Sequence, residues 1–223
     1  MSTELLITLA FGVVLMTFFM ALQMKAYKVT PWKSIIISAS LVMLGYFGSS
    51  FWFFVENFSW GGRSFYGVVF LAPIAYLPIS KLIKINYYYT LDFLAPSGCI
   101  TLALVKIQCL KDRCCEGKII GQDENYVFIR FPSQIVEMVA FLIIAVVLFV
   151  FACLPFFRGT VFQCFLILYG FSRFFLDFFR ETQPTYFFGL SVGSFWSLCA
   201  FILGAVWLIL ILTTRRKQKH KSS

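Results

Sequence analysis

Three charges interrupt an otherwise apolar stretch at residues 169–182, YGFSRFFLDFFRET. Arg173, Asp177 and Arg180 follow one another at steps of four and three, the spacing that lines side chains along one helical face. An unpaired arginine in hydrocarbon costs at least ~2.5–3.5 kcal/mol on the insertion scale, so charges at such depth pair with one another or serve a ligand. Asp177 is available to neutralise one arginine, and the surplus positive charge then requires Glu137 or an anion. A guanidinium grips phosphate through two parallel hydrogen bonds, and a basic pocket at headgroup depth suits a phospholipid. The competing reading is a closed structural network, Asp177 on Arg173 and Glu137 on Arg180 or Lys106, with nothing bound.

The chain around these charges is 60% hydrophobic and 13% charged over 223 residues, with 29 phenylalanines. That composition excludes an ordinary soluble domain. Seven apolar runs, at 4–24, 34–55, 64–83, 88–110, 133–157, 160–181 and 188–213, are each long enough to cross about 30 Å of hydrocarbon. They are continuous and do not alternate, which argues for helices and against a barrel. The expectation is an all-α polytopic membrane protein with seven transmembrane helices. It forms a single transmembrane domain over 1–223, ending in a basic cytoplasmic tail at 214–223. Only Met-Ser-Thr precedes the first run, with no basic flank before it and no small-x-small site after it, so it reads as a retained helix.

The net charge of +9 is unevenly spread. Eleven of the 19 basic residues (Lys25, Lys28, Lys33, Lys81, Lys84, Arg158, Arg215, Arg216, Lys217, Lys219 and Lys221) fall in loops of one parity, where Asp92 is the one nearby acid. The positive-inside rule then predicts the N-terminus outside and the RRKQKHK tail in the cytoplasm, touching anionic lipid and not nucleic acid. Alternating helices would bring Tyr66, Lys106, Gln134 with Glu137, and Arg173 with Asp177 and Arg180 to the same outer-leaflet level. Gly170, three residues before Arg173, would let a neighbouring helix approach. His220 is the only histidine and lies on the tail, which excludes His-based triads and His metal sites. GGRSFYG at 61–67 lacks any phosphate-loop spacing. Cys109, Cys114 and Cys115 gather at the outer loop, where a disulfide could form, but adjacent cysteines without histidine do not make a zinc knuckle, so no metal is expected there. A small transporter of anionic solutes would need polar groups in the cytoplasmic half too, where the sequence offers few besides Asp92.

The motifs in order resemble the prolipoprotein diacylglyceryl transferase family over about 44–200. They are GGRSFYG, LDFLAP at 91–96, VKIQCL followed by CCEG, PSQ with Glu137 three residues on, YGFSRFFLDFFR, and GLSVGSFWS at 189–197. The resemblance implies a multi-pass enzyme of the bacterial plasma membrane that moves diacylglycerol from phosphatidylglycerol to the lipobox cysteine of a prolipoprotein signal peptide, without a cofactor. It implies Arg173 on the lipid phosphate, Lys106 beside it, and Tyr66 assisting thiol deprotonation. Gln134, Glu137, Asp177, Arg180 and Ser194 would line the site. The chain departs from the family pattern: Lys106 stands for an arginine, Val68 for a glycine and Ser194 for a glutamine, the arginine common in the second span is absent, and Tyr66 stands for a frequent histidine, as in some branches of the family. Lys keeps charge but loses the planar fork, and a tyrosine near neutral pH needs a neighbouring cation to act as a base. A relative that keeps the lipid pocket without catalysis is the alternative.

Overall fold

A computed structural model of the chain describes residues 3–22, 29–111, 116–122, 128–181 and 189–222. Seven α-helices occur among these: α1 (Thr3–Leu22), α2 (Pro31–Asn57), α3 (Phe65–Ile83), α4 (Tyr87–Lys111), α5 (Ser133–Cys153), α6 (Val161–Asp177) and α7 (Val192–Ser222). Each overlaps one of the apolar runs. Five of them (α2, α3, α4, α5 and α7) are long and apolar enough to cross a membrane. α6 falls short because it has 17 residues and carries charge in its last turns.

Local chemistry sets the helix ends. Pro31 begins α2, where its missing N–H removes no helical bond. Phe58 and Lys84 close α2 and α3 in the left-handed conformation. Pro155 ends the fifth apolar run early: α5 stops at Cys153 and Pro155–Phe157 forms a 3₁₀ turn. The 111–131 loop contains a feature that hydropathy did not reveal, an antiparallel ribbon of β1 (Ile119–Gln122) and β2 (Phe128–Arg130). Its pairs are Ile119 with Arg130, Gly121 with Ile129 and Gln122 with Phe128, with a bulge between Ile119 and Gly121. Its strands are too short and too mixed in polarity to stand out beside 20-residue apolar runs. Cys114 and Cys115 lie outside the described residues.

The chain divides into two compact units. The first comprises Met1–Gly98 and Val150–Phe162. Its core is built from Met16, Met20, Ile37, Leu41, Tyr76 and Phe93. α2 and α3 cross backbone to backbone, because a Cβ on Gly67 would come within 2.0 Å of the Gly48 carbonyl oxygen. Asp92 is fully buried, and its carboxylate accepts the backbone N–H of Gly159 at 2.5 Å and of Val161 at 3.0 Å. It therefore caps the start of α6 from another helix, a structural task for the acid that the charge pattern left unexplained.

The second unit, Cys99–Phe149 and Gln163–Ser223, holds the ribbon, α5, the C-terminal part of α4, most of α6 and all of α7. α6 and α7 meet at Gly170, where a Cβ would lie 2.6 Å from the Ser197 carbonyl oxygen and 2.7 Å from the Phe201 nitrogen. The expected close approach is therefore made by α7. Tyr169 beside it stacks with Phe141 and Phe165.

Candidate active site

Three helices of the second unit bring their charges together. Lys106 comes from the C-terminal end of α4, Glu137 from the second turn of α5, and Arg173 and Asp177 from the last turns of α6. Arg180 differs from the sequence expectation. α6 ends at Asp177, and the next bonds are Phe178 N–H to Phe175, Phe179 N–H to Leu176 and Arg180 N–H to Asp177, each spanning three residues. This tightened turn moves Arg180 off the shared helical face. Its guanidinium returns to the cluster from the loop beyond.

Glu137 is the hub. Its side chain is 1% exposed and meets three cations: Lys106 Nζ at Oε2, Arg173 Nη1 at Oε1 (2.7 Å) and Arg180 Nε at Oε1 (3.5 Å). Asp177 Oδ1 lies 3.5 Å from Arg173 Nη2 and 3.6 Å from Arg180 Nη1. The pairing expected from spacing, Asp177 on Arg173, is present but secondary, because Arg173's hydrogen bond goes to Glu137. Three cations against two carboxylates leave one positive charge in excess.

Asp177 is held from α7. Ser191 and Ser194 both donate their hydroxyls to Asp177 Oδ2, the second at 2.9 Å. Ser191 also caps α7, accepting the Ser194 N–H at 3.0 Å. The carboxylate thus abuts the positive end of the α7 dipole. Ser191 was missed in the sequence, although a serine directly before an apolar run is a recognisable start signal. Ser191→Ala is expected to remove about 1 kcal/mol of helix capping and lower Tm by about 2–4 °C in a chain of this size. An unchanged melting curve would show that the cap contributes nothing.

The other expected residues are placed as follows. Gln134 is buried in the first turn of α5. Ser194 supports Asp177 through its hydroxyl, a shorter reach than a glutamine would have. Tyr66 is buried at the start of α3, with its ring stacked on Phe70, and belongs to the first unit. Its share in the site is therefore a matter for proposal.

Comparison with known proteins completes the description. The family model for prolipoprotein diacylglyceryl transferase matches residues 6–210. Three curated relatives, each called phosphatidylglycerol–prolipoprotein diacylglyceryl transferase, are 33% identical to the chain. The protein of Francisella tularensis subsp. holarctica (strain FTNF002-00 / FTA) matches over 179 residues, 73% of this chain and 65% of its own length. That of subsp. tularensis (strain SCHU S4 / Schu 4) matches over 182 residues, 74% and 66%. That of subsp. novicida (strain U112) again matches over 179 residues, 73% and 65%. The chain spans just under two thirds of the length of these relatives.

Proposed function

The chain belongs to the prolipoprotein diacylglyceryl transferase family, and from that premise we propose that it transfers diacylglycerol from phosphatidylglycerol to the thiol of a prolipoprotein's lipobox cysteine. The observation that carries the reading is the buried cluster with one positive charge in excess, since a phosphodiester lipid brings the single negative charge that balances it. In this reading seven helices cross the bacterial plasma membrane with the N-terminus outside, and the cluster lies at the outer leaflet.

The reaction is a displacement at carbon. The thiolate attacks the glyceryl carbon that bears the phosphate, the S–C bond forms, and the C–O bond breaks with its electron pair leaving on glycerol phosphate. The leaving phosphate gains a second negative charge, and Arg173 and Lys106 offset it as it develops. Glu137 and Asp177 keep those cations fixed. Gln134 and Ser194 line the site, and Tyr66 takes part in removing the thiol proton.

The test is direct. Purified protein, phosphatidylglycerol and a lipobox peptide should yield a thioether-linked lipopeptide and an equal amount of glycerol phosphate. Tyr66→Phe should lower kcat by about 10²–10⁴-fold, the range of general acid–base contributions. Phosphatidylglycerol that binds without either product forming would refute the transfer.

A further inference from the structure

Hydrogen-bond accounting separates the two arginines of the cluster. Arg173 donates to Glu137 at 2.7 Å. Lys106 engages the other Glu137 oxygen, and the two serines engage Asp177 Oδ2. Among the described residues Arg180 has only long contacts, 3.5 Å to Glu137 Oε1 and 3.6 Å to Asp177 Oδ1, beyond the 2.7–3.2 Å of an N–H···O bond. Its Nε is buried and hydrogen-bonds to nothing among the described residues. The guanidinium carries five N–H donors in a rigid fork, and the side chain keeps 17% of its surface open. Among the described residues, Arg180 is thus the cation of the cluster whose donors meet acceptors at the longest range.

Besides its N–H bond to Asp177 at the end of α6, the backbone of Arg180 has a second anchor. It forms an antiparallel bridge with Gly117. Lys118 N–H donates to the Phe179 carbonyl at 3.0 Å, and Glu181 N–H to the Glu116 carbonyl at 3.1 Å. Phe131 stacks on Phe179 at 5.1 Å between ring centres. Arg130 reaches Glu116 at 3.1 Å and also binds Glu181, which fastens both sides of the bridge. Gly117 tolerates no side chain, since a Cβ would come within 2.1 Å of the Phe131 carbonyl oxygen.

We propose that Arg180 is the residue whose guanidinium takes the two non-bridging oxygens of a monoanionic phosphodiester, and that the ribbon's bridge to its backbone holds it for that purpose. This rests on the transferase reading and changes the division of labour within it. Arg173, tied to Glu137, offsets charge at the leaving oxygen, while Arg180 supplies the bidentate grip that Lys106 lacks.

The experiment compares wild type, Arg180→Lys, Arg180→Gln and Arg130→Gln in nanodiscs at increasing phosphatidylglycerol fraction, with soluble glycerol phosphate as a competing anion. Wild-type turnover comes first, because its absence would overturn the transferase reading and not the anion assignment. In that case the same variants are compared by phosphatidylglycerol retention. Arg180→Lys is expected to raise KM for the lipid about tenfold, the loss of one charge-assisted hydrogen bond, with kcat within about twofold. Arg180→Gln should raise it about a hundredfold, and glycerol phosphate inhibition should weaken in step. Arg130→Gln should raise KM about threefold and abolish its sensitivity to salt, as expected for a clasp at the surface. Should the Gln variant fail to fold, the Lys variant, which keeps the charge, carries the test. A KM within twofold of wild type in folded Arg180→Lys, or a fall in kcat alone, overturns the assignment. Weakened glycerol phosphate inhibition with unchanged lipid KM reassigns the site to a free phosphate. An Arg180 effect without an Arg130 effect overturns the role of the ribbon.

Discussion

Glu137→Gln is expected to remove about 3–5 kcal/mol from the stability of the folded chain, the usual loss when one partner of a buried ion pair is deleted, and on the proposed reading to abolish diacylglyceryl transfer. The amide keeps the size of the side chain and one acceptor oxygen, so packing around this 1% exposed position hardly changes. Charge changes a great deal. Lys106, Arg173 and Arg180 would face Asp177 alone, and the excess would rise from one positive charge to two. The amide NH₂ would also point a donor at cations that already donate. Thermal unfolding in detergent and turnover of phosphatidylglycerol measure the two consequences separately. A variant that melts like the wild type would show that the three cations do not depend on Glu137, and the account of the cluster would fail.

The helices were legible because twenty-residue apolar runs are a strong signal that competes with little else. Asp177, Arg173 and Glu137 were legible as a group because charge in apolar surroundings has few explanations. Arg180 was legible as a member but not in its geometry. Helical spacing continued through Phe178 and Phe179, and nothing in those side chains marks the point where the backbone leaves α6 for the bridge to Gly117. The ribbon went unread for a related reason. β1 and β2 have four and three residues, and their stability comes from partners distant in sequence, Phe179–Glu181 and the Arg130 clasp. Outside the membrane helices, the hydrogen bond that Arg130 donates to Glu181, reinforced by the charges of Glu181 and Glu116, raises the pKa of Arg130 above its ordinary value. Sequence periodicity has no access to such pairings. Asp92 was noticed as an anomalous acid, but its use as a remote cap for α6 depends on a fold that brings α4 to Gly159.

Lys106→Gln is the variant in which stability and activity should move in opposite directions. Removing this charge leaves two arginines facing two carboxylates, a balanced set, and the amide can still donate to Glu137 Oε2. A structure that buries an unbalanced charge in order to bind an anion carries a cost in the empty state, of the order of the ~2.5–3.5 kcal/mol for a cation at depth, reduced by its partners. Neutralising that charge should therefore leave Tm unchanged or raise it, the familiar exchange between function and stability at a working site. On the proposed transfer, however, the lipid phosphate loses the cation that balances it, and kcat/KM for phosphatidylglycerol should fall about a hundredfold or more, as when one preorganised donor to a developing charge is removed. A closed structural network predicts the reverse. If all five charges existed to satisfy one another, replacing Lys106 would take a cation from the buried Glu137 carboxylate and destabilise the fold much as Glu137→Gln does. Melting temperature and lipid turnover of this one variant therefore distinguish a cluster built around an absent anion from one complete in itself.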